Sequence, residues 1–92
     1  MNSFNIECSA ATDEYVVNAL KEKGINHVVK GMKFLNDYGQ EIQESEIDNN
    51  SGDPAQMLSG VIVEIECDTD EGTLEGILEE VADFEGVSLA IV

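Results

Sequence analysis

Apolar and polar residues alternate near the start of the chain, over residues 3–8. Apolar side chains at every second position predict a strand with one buried face. The positions on that face are Phe4, Ile6 and Cys8. Beyond Thr12, a suitable N-cap, apolar residues recur three and four positions apart, which predicts a helix that ends at Gly24. A strand over about residues 25–35 follows, and the pattern predicts that one of its faces carries Val28, Met32 and Phe34.

The second half of the chain repeats this order. Residues 61–67 alternate and predict a strand, and the acidic stretch that follows predicts the start of a helix. The apolar stripe of that helix consists of Leu74, Ile77, Leu78, Val81 and Phe84. Gly86 ends the helix, and residues 87–92 form a final strand. Between the halves lies a polar loop at about residues 40–57, rich in turn formers, in which Ile42 is compatible with a short strand paired back on residues 32–35.

The order strand, helix, strand, strand, helix, strand is the split βαβ arrangement. Each helix ends at a glycine that leads directly into a strand, at Gly24-Ile25 and at Gly86-Val87. In this pattern the chain resembles ferredoxin-like domains, and among them small ligand-sensing domains of the ACT type. The resemblance covers nearly all of the chain. It implies a single α+β domain over residues 1–92, with a four-stranded antiparallel sheet in the order 4-1-3-2 and two helices on one face.

Charge is distributed very unevenly. The chain has 20 acidic and 4 basic residues, a formal net charge of −16. Residues 1–34 hold four of each, so the last 58 residues hold 16 acids and no base. This balance argues against direct binding to nucleic acid or to an anionic membrane surface. No apolar run approaches the length of a membrane span, so we expect a soluble cytoplasmic protein, in the host cytoplasm if the chain is viral.

The acids are densest around the second predicted helix. They are Asp68, Asp70, Glu71, Glu75, Glu79, Glu80, Asp83 and Glu85. Glu75, Glu79 and Asp83 follow one another at i, i+4 spacing, with Cβ atoms about 5–6 Å apart. That spacing is near the separation of phosphates along one strand of a duplex. A solvated, solubilising face explains the run equally well as a surface that mimics nucleic acid, and small acidic proteins encoded by viruses are similar to this chain in size and charge.

Residues for catalysis or metal binding form no recognisable motif. Asp68-Thr69-Asp70-Glu71-Gly72 resembles the start of a calcium loop, but the required ligand and glycine are missing from the positions that follow. Cys8 and Cys67 lie near opposite ends of two predicted antiparallel strands, which predicts two free buried thiols. His27, the single histidine, has no nucleophile or ligand pattern around it. We therefore expect no enzymatic activity, no cofactor and no metal.

Two functions remain open from the sequence. The first is a non-enzymatic binding or inhibitor protein that engages a basic protein through the eight acids of the second helix region, and a nucleic-acid-binding protein is the kind of partner that this interpretation favours. The alternative is a regulatory domain of the ACT type with a small-molecule site at a dimer interface. The final predicted strand is apolar on both faces, so a homodimer formed through this edge or the open sheet face is a further expectation.

Overall fold

The computed structural model describes residues 1–9 and 12–92. Over these residues the chain is an α+β protein with two α-helices and a five-stranded antiparallel sheet. The elements are β1 (Asn2–Ser9), α1 (Asp13–Glu22), β2 (His27–Asn36), β3 (Glu41–Ile42), β4 (Leu58–Cys67), α2 (Glu71–Glu85) and β5 (Leu89–Ile91). A short 3₁₀ helix, Glu44–Glu46, lies between β3 and β4. Neither α-helix in the described part of the chain is long and apolar enough to cross a membrane.

The strands lie in the order β3-β2-β4-β1-β5. The expectation of four strands is wrong, because the chain turns back after β2 and adds β3 at the edge. In this hairpin Phe34 pairs with Ile42, as the isolated apolar residue at position 42 suggested. Without β3 the order is β5-β1-β4-β2, which corresponds to the implied order 4-1-3-2.

The core lies between the sheet and the two helices. β1 and β4, which are neighbours inside the sheet, send alternate side chains toward the helices. The fully buried members of the core are Ile6, Cys8, Val16, Leu20, Val61, Val63, Ile65, Cys67, Leu74 and Leu78. The alternation in β1 and β4 and the helical stripes around Leu20 and Leu74 therefore predicted the core correctly, because burial of one face is what sets these periods.

A β-bulge in β2 changes which residues face the core. Val28 pairs with Glu66 and Val29 with Ile65, but the next pair is Gly31 with Glu64, so Lys30 is the extra residue. One extra residue reverses the alternation before and after it. The prediction that Val28 shares a face with Met32 and Phe34 is therefore wrong. Val29 lies on that face instead, and Val28 is on the opposite, uncovered face.

The uncovered sheet face is nearly balanced in charge. Lys30 Nζ lies 3.8 Å from Glu66 Oε1, and Lys33 Nζ lies 3.6 Å from Glu64 Oε1. Glu7, which pairs with Ile62, and Glu41, which pairs with Leu35, add two further negative charges to this face. Aromatic side chains are absent from the open face of the two central strands, so the base-stacking platform of sheet-based RNA binders is missing there.

Candidate functional site: the acidic helix α2 and the groove beside it

Both ends of α2 are fixed by local interactions. At the N-terminus, Asp70 is the N-cap, and its Oδ1 accepts a hydrogen bond from the Thr73 backbone N–H at 2.6 Å. That bond, together with one from the Thr73 side chain, lowers the pKa of the Asp70 carboxyl below its ordinary value. At the C-terminus, Gly86 adopts a left-handed conformation with φ +69°, which ends the helix. The helix covers the whole acidic run from Glu71 to Glu85.

Burial of one side of α2 pushes its acids outward. Leu74, Ile77 and Leu78 are buried against the sheet. All eight acids predicted to form the partner-binding site are exposed: Asp68, Asp70, Glu71, Glu75, Glu79, Glu80, Asp83 and Glu85. The site role of these residues stays a prediction. Their placement on the solvent side follows from the helical period of the apolar residues.

The structure separates these eight residues into three groups. Glu75, Glu79 and Asp83 lie in one i, i+4 row, which we call the acidic ridge. Asp68, Asp70 and Glu71 surround the helix N-terminus. Glu80 and Glu85 line a groove between α1 and α2, because successive helical residues point about 100° apart and Glu80 therefore faces away from the ridge. The acidic surface of α2 thus consists of the ridge, a cluster at the N-terminus of the helix and a pair of glutamates in the groove beside α1.

The ridge carries no compensating positive charge. Among the described residues, Lys23, Lys30 and Lys33 form the three ion pairs, with Glu80, Glu66 and Glu64. None of these pairs involves a ridge residue. On the side away from α1, the ridge borders the edge of the sheet. There Glu75 and Glu79 line a groove together with Leu78, Leu89 and Ile91. The ridge therefore presents uncompensated carboxylates on a helix that is anchored along its buried side.

A second acidic region was not predicted as a site. It lies between β2 and β4 and consists of Asp37, Glu41, Glu44, Glu46, Asp48 and Asp53, all exposed. β3, which belongs to this segment, forms one edge of the sheet, whereas α2 packs beside β5 at the other edge. The sequence signal, acids without any base after residue 34, was visible, but only the strand order shows that the two acidic regions lie at opposite edges.

A groove of about 400 Å³ separates the two helices. Ala19 and Val81 line it together with two aromatic residues, Tyr15 and Phe84. Phe84 is 87% exposed, so the prediction that it continues the buried stripe of α2 is wrong. The α1 residues that line the groove are Tyr15, Asn18, Ala19 and Glu22, and they leave the Phe84 ring uncovered on its rim.

The two thiols are unsuited to nucleophilic chemistry. Cys8 and Cys67 are free and buried, as predicted. The register pairs Cys8 with Val61 and Cys67 with Asn2, so the thiols lie at opposite ends of the β1–β4 pair. Burial, with smaller contributions from Asp13 and Glu7, raises the pKa of Cys8 to about 11, and burial also raises the pKa of Cys67.

The remaining candidates for chemistry have structural roles. Nδ1 of His27 donates a hydrogen bond to the carbonyl oxygen of Ile25 at 2.9 Å, since a carbonyl can only accept. Within residues 1–9 and 12–92, His, Cys, Asp and Glu form no group of three placed to hold a metal ion.

No protein-family model matches the chain, and a search of curated proteins finds no match.

Proposed function

We propose that the chain is a small non-enzymatic binding protein whose acidic ridge engages a basic surface of another protein. The observation that carries the proposal is the row of Glu75, Glu79 and Asp83, exposed and without a lysine partner on an anchored helix. Each like-charge i, i+4 pair costs about 0.2–0.5 kcal/mol in an isolated helix. A basic partner removes that repulsion on binding, which favours the complex and speeds its formation.

The basic surface that suits this ridge best is one that normally holds nucleic acid. The Cβ atoms of the i, i+4 acids repeat at about 5–6 Å, a spacing comparable to that of consecutive phosphates on one strand. The net charge of −16 makes nucleic acid itself an unfavourable partner. The chain would then act as an inhibitor that competes with DNA or RNA for the same basic groove, as expected for a viral protein of this size and charge.

A ferredoxin-like fold supports this function by holding the ridge rigidly. The order β5-β1-β4-β2, with both helices packed on one core, is the basis for assigning the fold, and β3 is an addition at the edge. The fold hosts many unrelated functions, so the uncompensated charge of the ridge, and not the fold, supports binding.

Competition with DNA tests the proposal. Lysate proteins bound to immobilised double-stranded DNA are washed with the chain at rising concentration, and we expect basic proteins to be released at low salt and less at high salt, since screening weakens surface charge interactions. A variant with Glu75, Glu79, Glu80 and Asp83 changed to Lys should release none. Release that is independent of salt, or equal with this variant, would contradict the proposal.

A charge-matched control separates the ridge from net charge. Changing Asp37, Glu41, Glu44 and Glu46 to Lys alters the net charge by the same amount, in the second acidic region. These four side chains are exposed. If the ridge is the binding surface, this control keeps most of the DNA-competing activity. Equal loss in both variants would show that only total charge matters.

The ACT-like alternative is favoured by one feature, the exposed edge at β5. This strand is three residues long, and Leu89 and Ile91 line the groove of about 290 Å³ beside α2. Pairing of two copies along β5 would extend the sheet and enclose this groove as a ligand site. The alternative predicts a dimer and a rise in melting temperature with an amino acid or nucleotide. The binding-protein proposal requires neither a dimer nor a small-molecule ligand.

A further inference from the structure

The groove between α1 and α2 combines features that a simple solubilising surface does not need. Phe84 is 87% exposed on its rim, and Tyr15 lines it from the other helix. The two aromatic side chains line the same groove, and an apolar patch rimmed by polar residues marks an interaction site more often than a single exposed residue does. Exposed aromatic residues ringed by polar residues are typical of the centre of a protein–protein contact.

The groove is also strongly acidic. Its carboxylates are Glu22, Glu80 and Glu85, and its remaining polar lining residue is Asn18. Aromatic faces and carboxylates together favour one class of ligand group, a cation with a flat apolar body. The volume of about 400 Å³ lies at the lower end of the range for small-ligand sites, about 300–1,000 Å³. The space therefore suits one long side chain better than a folded element.

One lysine of the chain already uses part of this charge. Lys23 Nζ lies 3.5 Å from Glu80 Oε2, and both side chains are largely exposed. An exposed pair of this kind contributes little to stability and exchanges readily. Glu80 is therefore in position to hold a cation, and an incoming cation can replace Lys23.

We propose that this groove binds an arginine side chain of the basic partner, with the guanidinium between the Tyr15 and Phe84 rings and the Glu80 carboxylate. Arginine suits the groove better than lysine, because its planar guanidinium stacks on rings and offers five N–H donors to several carboxylates at once. The inference rests on the proposed function, since it names the chemistry of the partner. It adds a short-range contact next to the long-range charge of the ridge.

Binding of two peptides tests the inference, with nona-arginine and nona-lysine as the probes. The chain contains two tyrosines and no tryptophan, so in a Tyr38→Phe background Tyr15 alone reports binding by fluorescence. We expect nona-arginine to bind about five- to tenfold more tightly than nona-lysine and to change Tyr15 fluorescence. Phe84→Ala should remove most of this preference. Because the Phe84 side chain is exposed, the variant should stay folded, which circular dichroism checks.

Matched controls isolate the groove. Tyr38→Ala removes another exposed aromatic residue, far along the chain in the β2–β3 turn, and should leave the arginine preference unchanged. Lys23→Gln should tighten arginine binding about twofold more than Lys21→Gln, because only Lys23 competes for Glu80. The two lysines lie near the same end of α1, so both substitutions change net charge equally.

The outcomes separate the groove from the ridge. One outcome is that both peptides bind in a salt-dependent manner and that binding is lost in the ridge variant with Glu75→Lys, Glu79→Lys and Asp83→Lys. If Phe84→Ala then behaves like Tyr38→Ala, the groove inference is wrong and the proposed function stands. If neither peptide binds the unaltered chain, both fail. Loss of arginine preference in Phe84→Ala, with retained salt-dependent binding of nona-lysine, supports the groove.

Discussion

The side-chain Nδ2 of Asn36 donates a hydrogen bond to the carbonyl oxygen of Ala55 at 3.1 Å. The Oδ1 atom of the same side chain accepts from the backbone N–H groups of Tyr38 and Gln40, both at 3.0 Å. Asn36 is 2% exposed and is the buried polar residue at the end of β2. A single amide thus closes the β2–β3 turn and ties the second acidic region to the sheet.

Removing this amide should destabilise the protein more than its size suggests. In Asn36→Ala, two N–H groups and one carbonyl lose their partner in a part-buried place, and we expect a loss of about 1–3 kcal/mol in the free energy of unfolding. Urea unfolding followed by circular dichroism measures this. Asn50→Ala, in the exposed part of the same segment, should change stability by less than about 0.5 kcal/mol. Equal effects would show that Asn36 does not organise the segment.

Salt should stabilise this protein. The net charge of −16 and the ridge repulsion oppose the folded state, and both weaken as the Debye length falls from about 30 Å at 0.01 M to about 3 Å at 1 M salt. The urea midpoint should therefore rise with sodium chloride. Glu79→Gln removes two like-charge pairs of the ridge. At low salt this substitution should raise the free energy of unfolding by about 0.4–1 kcal/mol. If the stability increase of Glu79→Gln is the same at 1 M salt as at low salt, charge repulsion is not its cause.

The N-cap of α2 should make stability depend on acid pH. Hydrogen bonds from Thr73 lower the pKa of Asp70, so the folded state favours the charged carboxylate. This contribution is present above the ordinary value of 3.8 and is lost as the pH falls through the lower folded pKa. Asp70→Asn keeps the capping oxygen but not the charge. We expect its melting temperature to be lower than that of the unaltered chain at pH 7, by an amount that shrinks below about pH 3.8.

Asp70→Ala provides the comparison for that experiment. It removes the oxygen that accepts from Thr73, so its melting temperature should fall further than that of Asp70→Asn at neutral pH. Identical melting temperatures for the two variants at every pH would mean that the cap does not act through this hydrogen bond.

The buried thiols should make stability depend on alkaline pH. The pKa of Cys8 is raised from 9.0 to about 11, mainly by burial, so the folded state favours the neutral thiol. Its contribution is complete below pH 9 and is lost as the pH rises through about 11. The urea midpoint should therefore decline over this window, and less steeply in Cys8→Ala. Iodoacetamide at pH 8 should label the folded protein slowly and the urea-unfolded protein rapidly, since only the thiolate reacts.

The placement of the local elements was largely predictable. Alternation around Ile6 and Val63 identified the two central strands, and the stripe from Leu74 to Leu78 identified the buried side of α2. The exposure of Glu75 and Glu79 followed from that stripe, because a helix that buries one side must turn the other to solvent. The thiols at Cys8 and Cys67 were placed correctly as free, since strand direction alone separates them.

The errors at Val28 and Phe84 depend on how segments distant in sequence pack together. Lys30 became a bulge because β2 had to pair with β4 on both sides of it, and this moved Val28 to the open face. Phe84 fits the period of the apolar stripe, yet it is exposed because the α1 residues beside the groove do not cover it. The fifth strand differs, because the pairing of Ile42 with Phe34 is a local hairpin that the isolated apolar residue at position 42 had suggested.

The sequence by itself determined the secondary structure, the core residues of β1 and β4 and the excess of negative charge, because period and composition are local properties of the chain. The tertiary structure decided how those charges are grouped. Strand order set the two acidic regions at opposite edges of the sheet. The packing of α1 beside α2 formed the groove that Glu80 and Phe84 line. Such groupings depend on which distant segments meet, and no local pattern encodes that.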